Sequence, residues 1–153
     1  MHSRIFQVSD APFEKEDYIT ECDYYDHWFT REIADYVNDD CNREDDIAWL
    51  KESVKGFEFG KDDSGEYFIV TDKVKYFEEA FYRFKDAIDK IKDCTIDEFV
   101  NGIHEMWYLK GSYDDKYGFY IDNDGDMESL DGFIRGCFVD KKYYIGGTVD
   151  YHF

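Results

Sequence analysis

Asp122-Asn123-Asp124-Gly125-Asp126 brings three carboxylates together in five residues and so raises the possibility of a calcium loop. An EF-hand loop requires Gly at its sixth position and a bidentate Glu at its twelfth. Counted from Asp122, Gly125 stands fourth and Phe133 twelfth. Asn, Asp and Gly tolerate left-handed backbone, so the run predicts a hairpin turn instead. His104-Glu105 resembles the start of a zinc-protease helix, but Tyr108 occupies the position of the second His. Cys22 and His27 have a C-x4-H spacing, and no second pair completes a zinc site. Cys41, Cys94 and Cys137 are equally isolated, so all four thiols are expected to be free. No nucleophile-plus-base set, P-loop or dinucleotide fingerprint is present. The expectation is a non-enzymatic protein that uses no cofactor and no resident metal.

What remains is the acid itself. Thirty-seven Asp and Glu oppose eighteen Lys and Arg, a formal charge of −19 over 153 residues. Self-repulsion on that scale destabilises a compact state, so the excess is expected to serve binding. The acids recur in clusters at predicted element ends: Asp39 and Asp40, Asp45 and Asp46, Asp62 and Asp63, Asp114 and Asp115, and Asp122, Asp124 and Asp126. Asp is a favoured cap and turn residue, which accounts for any one cluster. Repetition along the whole chain calls for more. With Tyr113 and Tyr117 as aromatic anchors, these eleven Asp residues form the candidate partner-binding set.

A rigid carboxylate array can stand in for the phosphates of duplex DNA, which carries one charge per about 1.7 Å of axis. The expected partner is a basic protein, a nucleic-acid-binding enzyme or nuclease, and the expected role is inhibition by nucleic-acid mimicry. Blocking a CRISPR effector or a restriction enzyme fits that role. Two alternatives share the composition: an immunity protein or antitoxin against a basic nuclease toxin, and an acidic cation- or small-ligand-binding protein. A surface this negative repels nucleic acid and anionic membrane alike.

Acid-rich chains are usually disordered for want of apolar surface. Fourteen Phe, fourteen Tyr and three Trp remove that objection here. One proline and no Ser/Gly tract predict a single acidic domain over residues 1–153. Met1–Phe6 lacks the apolar core of a secretory leader, and no run approaches the roughly 18 apolar residues of a membrane span. A cytoplasmic location is expected.

The elements that must position the acids follow from periodicity. Ile5, Phe6 and Val8 predict a first strand, and Asp23 is expected to cap a helix running through Tyr25, Trp28, Phe29, Ile33, Tyr36 and Val37. Asn42 starts a second helix ending at Gly56. Phe57–Val70 predicts a hairpin. Asp72 caps a long helix over Val74–Lys92, and Thr95-Ile96-Asp97-Glu98 is a capping box for a fourth. Beyond Trp107 the pattern turns to β at 107–109, 117–121, 132–139 and 142–151, with Gly146-Gly147 marking a bulge or bend. The expected fold is α+β: about four helices on a mainly antiparallel sheet with a C-terminal β-meander.

Overall fold

A computed structural model describes all residues 1–153. Seven strands form one mixed sheet: β1 (His2–Ser9), β2 (Tyr36–Asn38), β3 (Phe57–Asp62), β4 (Gly65–Val70), β5 (Tyr120–Asn123), β6 (Asp126–Ser129) and β7 (Lys142–His152). Their order is β3-β4-β7-β1-β5-β6, with β2 pairing the same edge of β7 as β4. Six helices accompany them: α1 (Phe29–Glu32), α2 (Arg43–Ser53), α3 (Lys73–Lys92), α4 (Ile96–Asn101), α5 (Glu105–Tyr113) and α6 (Leu130–Gly136).

This corrects the expected architecture in three respects. The sheet is mixed, because β1 and β5 run parallel with Ile5 opposite Tyr120. There are six helices rather than four, and the C-terminal strands form no meander. The 107–109 segment is helical, since α5 packs along α3 and continues past the point where its aromatic run resembled a strand. Residues 132–139 begin as α6, whose first turn is capped when the Gly132 N–H donates to Ser129 Oγ at 3.1 Å. A short apolar run has no period that separates a buried helix from a strand.

The helix expected from Asp23 to Val37 is also broken up. Asp23 instead closes a cap with Thr20 (2.7 Å from the Thr20 N–H), Asp26 adopts a left-handed φ of 71°, and Tyr36–Asn38 pair with β7. An open edge on β7 outcompetes helical spacing over those three residues.

β7 is the organising strand. Phe6 faces Thr148 and Val8 faces Ile145, so Gln7 lies opposite both Gly146 and Gly147. That extra residue is a β-bulge, and it reverses which side chains face which side of the sheet. Tyr143 and Ile145 therefore join one core with Phe6, Val8, Phe68, Ile121 and the α2 and α6 residues Leu50 and Phe133. Val149 and Tyr151 join the opposite core with Ile5, Tyr24, Phe29 and Tyr120. Gly is needed at the bulge because a Cβ on Gly146 would overlap the Gln7 amide, and one on Gly147 would crowd the backbone of Ile19 at 2.8 Å.

Between β4 and β2 the edge of β7 is left open, and Arg43 fills the notch. Its Nε donates to Gly146 O at 2.6 Å, its Nη2 to Ile145 O at 2.7 Å and its Nη1 to Glu66 at 2.9 Å. Unpaired strand carbonyls are thereby satisfied by a charged fork instead of another strand.

Candidate functional site

The candidate acids divide into two that are buried and a larger set at the surface. Asp46 is buried beneath α2. It accepts from Arg4 Nε at 2.5 Å and from the Thr148 hydroxyl at 2.7 Å, while Arg4 also pairs with Asp150. Arg4 lies over the Trp49 ring at 5.3 Å, and the Cys41 thiol donates to Thr148 O at 3.4 Å. Burial pushes the Cys41 thiol up to about 11, well away from a reactive thiolate. Asp122 is buried as well, accepting from Tyr24 OH at 2.7 Å and from the Gly125 N–H at 2.9 Å. Neither Asp46 nor Asp122 can reach a partner. A buried carboxylate with two donors is holding the fold together.

The Asp122–Asp126 run is the β5–β6 turn, with Asp124 at φ 55° and Gly125 at φ 86°. Asp124 and Asp126 point into solvent there. No group of three His, Cys, Asp or Glu side chains converges as a metal site would require.

The exposed acids occupy opposite edges of the sheet, and their electrostatics differ. Asp39, Asp40, Asp45, Asp62 and Asp63 gather around the β3–β4 hairpin and the start of α2. Two carboxylates of this edge, Asp62 and the neighbouring Glu66, are neutralised, whereas Asp39, Asp40, Asp45 and Asp63 make no salt bridge. Asp62 accepts from Lys142 at 2.7 Å and Tyr144 at 3.1 Å, and the Lys142 hydrogen bond holds its carboxyl below the usual range. Beside it, Glu66 pairs with Lys61 at 2.7 Å and with Arg43. Lys61 and then Arg43 hold Glu66 down to about 2.

The other edge, along β6, is not neutralised. Met127 packs on the second core, so Asp126 and Glu128 project together from the opposite side of the strand. At the foot of β6, Asp114 accepts from Ser129 Oγ at 2.5 Å and Asp131 accepts from the Asp115 N–H at 3.0 Å. The Glu128 carboxyl is pushed up by desolvation and then by Asp126 and Asp114. Asp115 is pushed up by desolvation and by Asp131 and Asp114, against the opposing pull of the Tyr117 N–H and of Arg83 in the cleft behind it. Neighbouring carboxylates that raise Glu128 and Asp115 mark a local concentration of negative charge.

Tyr113 and Tyr117 bracket Asp114 and Asp115 and are both exposed. Arg135 lies over the Tyr113 ring at 4.3 Å, and Tyr117 stacks on Phe153 at 4.5 Å. Behind this segment a cleft of about 420 Å³ opens between the sheet, α2, α3 and α5. Trp49, Tyr76, Tyr117, Arg83, Asp115 and Asp131 line it. Carboxylates backed by aromatic faces suit a guanidinium or ammonium side chain.

Glu128 and Asp131 complete this rim, and the sequence alone does not single them out. Each is one acid among thirty-seven, and only the folding of β6 and α6 beside Asp114 groups them. Asp150 did carry a signal, as a charge between Val149 and Tyr151 in a β run, whereas Arg4 follows the polar His2 and Ser3 and stands out less. The structure contains no helix long and apolar enough to cross a membrane. Compared with known proteins, the chain matches no family model, no curated protein and no solved structure.

Proposed function

We propose that this protein is a non-catalytic, cytoplasmic inhibitor that binds the basic surface of a nucleic-acid-binding enzyme through the β6 edge. The observation that carries the reading is the un-neutralised rim: Asp114, Asp115, Asp124, Asp126, Glu128 and Asp131, with Tyr113 and Tyr117 beside it. Alternate residues on a strand stand about 6.8 Å apart, twice the 3.4 Å spacing of charges along one DNA strand. β6 alone is therefore too sparse to imitate DNA. The acids at its foot supply the additional density. A partner Lys or Arg entering the cleft at Asp115 and Asp131 would give the contact an orientation that charge alone lacks.

The test uses the whole chain as bait in a lysate, beside a variant carrying Asp124→Asn, Asp126→Asn and Glu128→Gln. The wild type should retain a nucleic-acid-binding protein that elutes with salt and with added duplex DNA, and the variant should retain far less. Equal retention by both baits counts against the rim. A captured nuclease that still holds nucleic acid while bound to this chain would favour the immunity-protein reading over mimicry.

A further inference from the structure

Helices α3, α4 and α5 form an arm whose exposed chemistry is opposite to that of the sheet. It is anchored at its root. Tyr76 and Phe77 of α3 pack on the first core, Lys73 donates to the Arg135 and Cys137 carbonyls, Lys55 pairs with Glu79, and Arg135 donates to the Tyr113 carbonyl at the end of α5. Beyond the root, α3 packs mainly on α5, and Ala87 and Ser112 are the only buried residues of the three helices. Ile96, Phe99 and Val100 recur at the spacing of one helical face, yet they are 74%, 68% and 74% exposed. Trp107 is 76% exposed and lines an apolar groove of about 450 Å³ with Phe84, Met106, Leu109 and Tyr113. An amphipathic stripe that covers nothing in its own chain marks a surface awaiting a cover.

We propose that a second copy of this chain covers it, pairing arm to arm about a two-fold axis. Charge supports this occupant. Residues 73–113 hold seven Lys and Arg against eight Asp and Glu, whereas the rest of the chain holds eleven against twenty-nine. Two chains of −19 can approach closely only where their surfaces are near neutral, and that is the arm. Its mixed-sign rim, with Lys85, Lys90, Lys92 and Lys110 among Asp86, Asp89, Glu98 and Glu105, can be matched by its own rotated copy. A basic partner, by contrast, is drawn to the sheet edge.

Area bounds the pairing. At about 150–250 Å² per aromatic side chain, the half- to three-quarters-exposed Phe81, Tyr82, Phe99, Trp107 and Tyr108, with Ile96, Val100 and Met106, total on the order of 1,000 Å² spread over more than one helical face. A single face therefore offers less than the roughly 800 Å² per partner of a standard interface, and the pairing is of the weak, reversible kind.

Sedimentation equilibrium of the full chain from about 1 to about 100 μM spans the weaker affinities seen for interfaces of this size. The wild type should approach twice the chain mass, and Phe99→Asp with Trp107→Asp should weaken association at least tenfold. Circular dichroism should show that variant folded, because both side chains lie at the surface. Asp126→Asn serves as a body control and should leave association intact. Salt should hold or tighten the dimer by screening two −19 chains. Binding of a basic partner should instead weaken with salt, so the two proposals fail separately. A wild-type monomer throughout the range overturns the dimer. So does a dimer that the arm variant leaves unchanged, or a monomer that sediments with phosphatidylcholine vesicles and so gives the face to lipid.

Discussion

Residues 73–113 carry a net charge of −1, and the 112 residues around them carry −18. The same division separates how the two regions are held. In the sheet body, charges are neutralised inside and displayed outside: Arg4 binds Asp46 and Asp150 beneath α2, while the β6 carboxylates face solvent un-neutralised. In the arm the Lys90–Asp86 salt bridge is solvent-exposed, as is the Lys55–Glu79 bridge that ties the arm's root to the body, and apolar side chains are what is displayed. Acid content is therefore not uniform across this molecule. The excess belongs to the body, and the arm provides a surface of a different kind.

The largest expected effect is in the body interior. Arg4→Met leaves Asp46 and Asp150 buried without their cation, and breaking such a pair by removing one partner costs about 3–5 kcal/mol. Urea unfolding should register that loss. A cost below about 1 kcal/mol would mean that Thr148 and His2 suffice for the two carboxylates.

Glu66 comes next. Its carboxyl lies at about 2 in the fold against 4.5 when free. A depressed carboxyl adds stability that is fully present above the free value and lost as pH falls through the folded one. At about 1.4 kcal/mol per pH unit the whole shift would be about 3.5 kcal/mol, and solvent screening at the exposed Lys61 end lowers this to about 2–3 kcal/mol. Wild type should exceed Glu66→Gln by this margin at pH 7, and the gap should close between about pH 5 and pH 2. A gap independent of pH would assign the effect to packing.

Capping sharpens the contrast between the regions. Asn42 accepts from the Glu44 and Asp45 N–H groups at 2.9 and 3.2 Å, and Thr95 accepts from Glu98 N–H at 3.3 Å. Ala at either position costs about 1 kcal/mol locally. Asn42→Ala should lower the global unfolding midpoint, because α2 lies on the first core. Thr95→Ala should instead speed hydrogen exchange in α4 with little global change. The smallest effect belongs to the arm surface: Val100→Ser should shift monomer stability by no more than about 0.5 kcal/mol.

Much of the local structure was legible because it depends on neighbours in sequence. Asp72 accepts from Lys75 N–H at 2.9 Å, the Thr95–Glu98 capping box is closed, and Gly146-Gly147 bulges. The rest depends on distant partners. Tyr36–Asn38 became a strand because β7 had an edge to offer, and β5 runs parallel to β1 across more than a hundred residues. The same holds for the surface. Periodicity assigns Ile96, Phe99 and Val100 to an apolar face, but not whether anything covers it. Composition supplies the acids, but not that Asp46 and Asp122 face inward while Asp126 and Glu128 stand un-neutralised.

The most direct test uses fluorescence anisotropy of a labelled duplex held by a nucleic-acid-binding enzyme recovered with this chain as bait, titrated with the protein. Wild type and Phe99→Asp should displace the duplex, and Asp124→Asn, Asp126→Asn and Glu128→Gln combined should displace it at least tenfold more weakly. A duplex that stays bound at saturation, or a rim variant that displaces as well as wild type, would contradict mimicry by the rim.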